Sequence, residues 1–209
     1  LGTVWNSTTG DEIVRLVGHT ARVNSLAFNS TGDRIVTSCY DGQVRIWRVA
    51  DGSLERVLTG HKGVVNSATF NPSGDRIVSA SGMSSNGGRG DNSVRIWNVS
   101  TGDELVVIEG SETPYGQVFF SADGLRVLGS TSVGAITLWD AETGHEILMI
   151  NPFQDGTIER VLHYSTSAIS PDGGQIAVAR GHLIRILDGR PESQARVRQV
   201  ERAARGLLQ

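Results

Sequence analysis

The sequence predicts an all-β chain of repeated four-stranded antiparallel sheets, on three observations. The phrase Val-Arg-Ile-Trp occurs twice, at Val44 to Trp47 and Val94 to Trp97, with weaker copies at Thr3-Val4-Trp5 and Ile136-Thr137-Leu138-Trp139. The four Trp residues lie 42, 50 and 42 residues apart, a period that belongs to radial or solenoid arrays rather than to one irregular core. The 209 residues hold 26 Gly but only 5 Pro, which suits many short strands joined by tight turns.

Before the first complete unit, Thr3 to Val17 supplies the last two strands of a preceding one. The first full unit opens at Gly18-His19 and runs through Val23, Leu26 and Phe28 to the turn Asn29-Ser30-Thr31-Gly32-Asp33, then to a second strand Arg34 to Ser38. Asp41-Gly42 between apolar runs is a tight-hairpin signal leading into a third strand ending near Val49. Asp51-Gly52 turns the chain into a fourth strand, Leu54 to Leu58. The second unit repeats these signals from Gly60-His61 through Asn71-Pro72-Ser73-Gly74-Asp75 to Trp97. The third is looser, with Phe120-Ser121-Ala122-Asp123-Gly124 and Trp139, and in the fourth Leu187 takes the place of the tryptophan.

The Gly-His openings, the Asp in the tight turn and the Trp close resemble the WD-repeat family of β-propellers, over residues 1 to about 190. Only Trp139-Asp140 is the literal pair; the first two units read Trp47-Arg48 and Trp97-Asn98. The expected architecture is a partial blade over 1–17, blades over about 18–59, 60–109, 110–150 and 151–190, and a tail over 191–209. Val197, Val200, Ala204 and Leu207 space as one apolar stripe, so the tail is expected to be a short C-terminal helix packed on the last blade. A sheet of about forty residues cannot bury both faces alone, so neighbours must stack against it. Four and a half blades leave strand edges unpaired at both ends. A start in mid-pattern at Leu1 predicts residues upstream, and closure is expected through an additional chain segment or self-association. The alternative is a five-bladed ring completed by the C-terminal segment.

The resemblance implies a hydrogen-bonded network of His19, Thr37, Asp41 and Trp47 in the first unit, and of His61, Ser79, Asp91 and Trp97 in the second. The residue types coincide with a nucleophilic triad. A triad, however, needs one exposed nucleophile beside an oxyanion hole, whereas this set recurs at the repeat spacing and includes a Trp donor, so a structural role is assigned and no catalytic residue is named. In units three and four the positions carry Ser111, Gly129 and Val133, then Arg160, Ala177 and Gly181, and less rigid blades are expected there.

Partner binding is expected on the top face, where loops between strands two and three and between blades meet. From Phe70 to Trp97 is 27 residues, against 19 from Phe28 to Trp47 and from Phe120 to Trp139, and the eight extra fall in a Gly- and Ser-rich loop over 81–90. A second extension lies within 151–160. By resemblance, the partner-contacting positions are Arg22, Asn24 and Tyr40 in the first unit, Asn66 and Gly90 in the second, and His163, Ser165 and Arg180 in the fourth.

Composition narrows the functional classes. A net charge of -3 gives no overall positive field to draw nucleic acid or an anionic membrane. One cysteine, Cys39, allows no intramolecular disulfide, and the five histidines have no metal-ligand spacing, so neither a metal nor a cofactor is expected. Arg89-Gly90-Asp91 spells an adhesion tripeptide, but Asp91 belongs to the hairpin turn. No apolar run spans a bilayer and no secretory leader is visible, so a cytoplasmic setting is the default. The expectation is a non-catalytic scaffold binding proteins or peptides on its top face. The alternatives are a propeller module of a larger bacterial signalling protein such as a serine/threonine kinase, or a propeller enzyme, for which no convergent set of carboxylates or basic residues is found.

Overall fold

The computed structural model describes residues 2–82, 90–110, 112–131, 133–151, 165–170, 172–180, 183–188 and 198–200. Among these residues every regular element is a strand. A two-stranded sheet, β1 (Gly2–Trp5) and β2 (Glu12–Leu16), precedes four four-stranded meanders. The first is β3 (Val23–Phe28), β4 (Arg34–Cys39), β5 (Val44–Arg48) and β6 (Leu54–Leu58); the second is β7 (Val65–Phe70), β8 (Arg76–Ser81), β9 (Val94–Asn98) and β10 (Glu104–Ile108). The third is β11 (Tyr115–Phe120), β12 (Arg126–Thr131), β13 (Ile136–Asp140) and β14 (Glu146–Ile150). The fourth is β15 (Ser165–Ile169), β16 (Gln175–Arg180), β17 (Leu183–Asp188) and β18 (Arg198–Val200).

Local chemistry fixes each meander. Between its first two strands, Asn29 receives the amide of Gly32 on its carbonyl and the amide of Arg34 on its side-chain oxygen, at 3.1 and 3.0 Å, while its Nδ2 donates to Asp33. Asn71 repeats all three bonds in the second sheet, and the hydroxyls of Ser121 and Ser170 accept the equivalent amides of Arg126 and Gln175 in the third and fourth. At the next hairpin the chain enters the left-handed region. Gly42 takes it at φ 80°, and Asn92, whose short polar side chain tolerates that region, takes it at φ 46°.

The sheets stack face on face, and this decides which residues are apolar. The second strands β4, β8 and β12 are buried along nearly their whole length, as a strand covered on both sides must be, whereas the outermost strands β6 and β14 are largely exposed. Val36, Val44, Ile46 and Leu58 of one sheet meet Val65, Ala68, Phe70, Ile77 and Trp97 of the next, and Val78, Val94 and Ile96 meet Tyr115, Val118, Phe120 and Trp139 in turn. Polar clips lock the stack: the Asn24 amide donates to the Val65 carbonyl at 2.9 Å, Asn66 donates to Tyr115 at 3.0 Å, and the Ser25 hydroxyl accepts the Ala68 amide at 3.0 Å. At the third junction Gly116 stands where the asparagine was, and Gln117 takes over by accepting from Thr166 at 3.0 Å.

The tail departs from expectation in its described part. Arg198–Val200 is a strand whose residues pair with Ile186, Arg185 and Ile184 of β17, because the outer edge of β17 offers backbone groups that a strand satisfies and a helix does not. The rest of the tail, the loop over 83–89 and His163 lie outside the described residues.

Candidate functional site

Two places collect the residues singled out in the sequence: a buried polar network inside each of the first two sheets, and the rim where the first strands begin. Thr37 and Ser79 hold the same register, opposite Arg45 and Arg95 on the third strand. In the second sheet the Trp97 indole donates to the Ser79 hydroxyl at 2.8 Å, Ser79 lies 2.8 Å from His61 Nε2, and His61 Nδ1 lies 3.2 Å from Asp91 Oδ2. One proton arrangement satisfies all three contacts: Trp97 donates to Ser79, Ser79 to Nε2, and a neutral imidazole donates from Nδ1 to Asp91. Asp91 also accepts from Ser93 at 2.8 Å and from Arg95 at 3.2 Å.

The first sheet closes differently. The Trp47 indole donates to Thr37 at 2.9 Å and His19 Nε2 lies 3.2 Å from that hydroxyl, but His19 Nδ1 has no hydrogen-bond partner. Asp41 instead takes the Thr20 hydroxyl at 2.8 Å and both terminal nitrogens of Arg45, at 3.2 and 2.8 Å. Sequence reasoning missed these arginines. The signal was present, since Arg45 and Arg95 sit at the same place in the repeated Val-Arg-Ile-Trp, four residues after each turn aspartate.

In the third sheet Tyr115 and Trp139 replace the network. Their rings meet edge on at 5.1 Å, and the Tyr115 hydroxyl lies 3.2 Å from that of Thr137.

Electrostatics follow from burial. Loss of hydration lowers the His61 pKa from its ordinary 6.5 and outweighs the opposing pull of Asp91. Burial alone would raise the Asp91 carboxyl, but the bonds from His61, Ser81 and Ser93 prevail and hold it far below the carboxylate range; Asp41, bonded by Arg45 and Thr20, behaves alike. Ser79 is wholly buried and its oxygen already accepts from Trp97. The folded state keeps His61 neutral while the unfolded chain binds a proton near 6.5, so stability is present above that pH and is lost as pH falls through it, until the folded pKa is reached. The melting temperature is therefore expected to drop between pH 8 and 5, with a shallower slope in His61→Gln. The depressed aspartates act in a separate window, below 3.8. An identical pH slope in the variant would contradict the assignment to His61.

On the rim, Arg22, Asn24 and Tyr40 meet where β3 starts and β4 ends. The Arg22 guanidinium carbon lies 5.6 Å from the centre of the exposed Tyr40 ring, and the Tyr40 amide donates to the Arg22 carbonyl at 2.8 Å. Asn24 and Asn66 sit at equivalent places on successive sheets with their amides engaged in the inter-sheet clips. Gly90 packs tightly: a Cβ added at Gly63 would lie 3.1 Å from its Cα. Ser165 and Arg180 are cross-strand neighbours in the fourth sheet. Among the described residues no helix is long and apolar enough to cross a membrane.

Comparison with known proteins agrees with this architecture. The family model for the WD domain, G-beta repeat, matches residues 10–48 and 52–98. Protein hir1 of Schizosaccharomyces pombe (strain 972 / ATCC 24843) is 34% identical over 53 residues, which are 25% of this chain and 6% of hir1. The crystal structure of the computationally designed Ika8 protein superposes with a TM-score of 0.67 and 26% identity, covering 85% of this chain and 49% of Ika8. The chain thus spans about half the length of that structure and a small part of hir1. With its stacked meanders and repeated Trp register, the chain has a propeller-like architecture and carries WD repeats over residues 10–48 and 52–98.

Proposed function

We propose that the chain is a non-catalytic scaffold that holds a protein or peptide partner on its top face, with Arg22 and Tyr40 as anchors. WD repeats and a propeller-like stack support a protein-interaction scaffold in general. The observation that carries the finer reading is the Arg22–Tyr40 pair, an exposed cation on an exposed ring atop a stack that clips and cores make rigid. Tyr presents large contact area at small entropic cost, and Tyr and Arg are enriched among the residues that dominate interface energetics. Asn24, Asn66 and Gly90 shape the floor of this surface and Ser165 and Arg180 extend it around the rim, while His163, expected with them from the sequence, lies outside the described residues. The buried Ser79 and its partners Trp97 and His61 serve the fold and carry no turnover.

Arg22→Glu combined with Tyr40→Ala is expected to weaken the partner recovered by affinity capture with the wild-type chain by about thirtyfold, the scale of a hot spot of ~2 kcal/mol. Both side chains are exposed, so the far-UV spectrum and melting temperature should hold. Undiminished capture by a folded variant would place the binding surface elsewhere.

A further inference from the structure

The rim where the first and second complete sheets meet carries charge that the fold does not use. The Tyr40 amide donates to the Arg22 carbonyl at 2.8 Å, and in the next sheet the Gly82 amide donates to the Val64 carbonyl at the same 2.8 Å. That backbone bond needs neither a phenol nor a guanidinium, yet here the Arg22 guanidinium carbon lies 5.6 Å from the centre of the Tyr40 ring. Lys62 joins them. A Cβ added at Gly42 would lie 3.4 and 3.2 Å from the carbonyl oxygens of His61 and Gly63, so the hairpin Tyr40-Asp41-Gly42 rests on the loop that carries Lys62. Lys62 is exposed, and among the described residues neither Arg22 nor Lys62 has an ion-pair partner. The carboxylate of this hairpin, Asp41, is already occupied by the Thr20 hydroxyl, the Gln43 amide and both terminal nitrogens of Arg45. The positive charge is also local. By strand register the equivalent of Lys62 is Thr20 in the sheet before and the exposed Glu112 in the sheet after, with Glu109 exposed close by in sequence.

We propose that Arg22, Tyr40 and Lys62 receive an anionic side chain, a carboxylate or a phosphate, from an extended peptide of the partner; this rests on the reading of the rim as the partner-binding surface. Charge complementarity sets the chemistry. Two cations without counter-ions flank one aromatic ring in a chain whose formal net charge is -3, so the partner supplies the negative charge that the surroundings do not. The three groups divide the task. The guanidinium offers a planar fork of N–H donors that matches carboxylate or phosphate oxygens in pairs, and its contact with the ring limits its freedom before binding. The Lys62 ammonium adds a point charge with no fixed direction, and the phenol adds a hydroxyl donor. A basic segment would meet repulsion from both cations, so the same residues select against it.

Selection from a random-peptide display library on the 209-residue chain tests this. Asp or Glu is expected at one fixed position of the recovered peptides. For the tightest of them, titrated in solution, Lys62→Glu and Arg22→Gln should each weaken binding by at least about tenfold, because one loses a charge-assisted bond and the other sets like charges together. Arg126→Gln, which removes an exposed charge elsewhere in the third sheet, should leave affinity within about twofold. Binding should also weaken as salt rises from about 0.1 to about 1 M, where the screening length shortens from about 10 to about 3 Å. Replacing the fixed acidic residue by glutamine should abolish binding; replacing it by phosphoserine separates the two sources, a tighter complex assigning the phosphate and a weaker one the carboxylate. Unchanged melting temperatures would report that the variants are folded. Equal binding by Lys62→Glu would overturn the proposal. Recovered peptides without an acidic residue, lost in Arg22→Glu combined with Tyr40→Ala, would overturn it while leaving the rim as the binding surface; peptides indifferent to every one of these substitutions would remove both readings.

Discussion

Trp97→Ala is expected to remove about 3–5 kcal/mol of stability, enough to unfold a substantial share of the molecules of a marginally stable domain. The loss has two parts. The indole lies in the cluster that joins the first and second complete sheets, so its removal opens a cavity against Val36, Ile46, Phe70 and Ile77. It also leaves the buried Ser79 hydroxyl without its donor and loosens the His61 link to Asp91. Trp5→Ala is the informative contrast. Trp5 ends the same sequence phrase and holds the same register, yet its exposure should keep the cost within about 0.5 kcal/mol. Urea midpoints of the two variants check this directly; equal losses would mean that the indoles do not owe their effect to the sheet stacked upon them.

That contrast shows how far the repeats could be read. Trp spacing, the Asn-x-x-Gly-Asp turn and the Asp-Gly hairpin are local signals set by backbone geometry, and they yielded the repeated four-stranded antiparallel sheet because each is satisfied within about ten residues of itself. What a side chain touches across a sheet junction depends on the neighbouring unit, which local pattern does not encode. Asn24 and Asn66 look like free surface amides in sequence and turn out to clip adjacent sheets. Thr20 gave no signal at all; it takes the bond to Asp41 that His61 makes to Asp91 in the second sheet. The helical stripe read in the tail fails over Arg198–Val200 for a related reason: an exposed edge of β17 outweighs intrinsic helix preference.

Gly129→Ser is expected to destabilise the chain by about 1–3 kcal/mol, although it restores the residue type that the repeat pattern asks for. Gly129 holds the register of Thr37 and Ser79, opposite Thr137 on β13. A Cβ there would lie 2.7 Å from two ring carbons of Trp139 and 2.9 Å from Tyr115 Cδ1, because the aromatic pair has filled the space that the polar network occupies elsewhere. Glycine and tyrosine are therefore one coupled substitution: Tyr115 stands where Val23 and Val65 stand in the earlier sheets. Tyr115→Val in the glycine background leaves a cavity, but in the serine background it should release the indole to donate to the new hydroxyl. The double variant is then expected to be more stable than the sum of the single losses by about 0.5–3 kcal/mol. A double-mutant cycle measured by chemical denaturation decides the matter: strict additivity would mean that the aromatic pair and the missing hydroxyl are independent features of the third sheet.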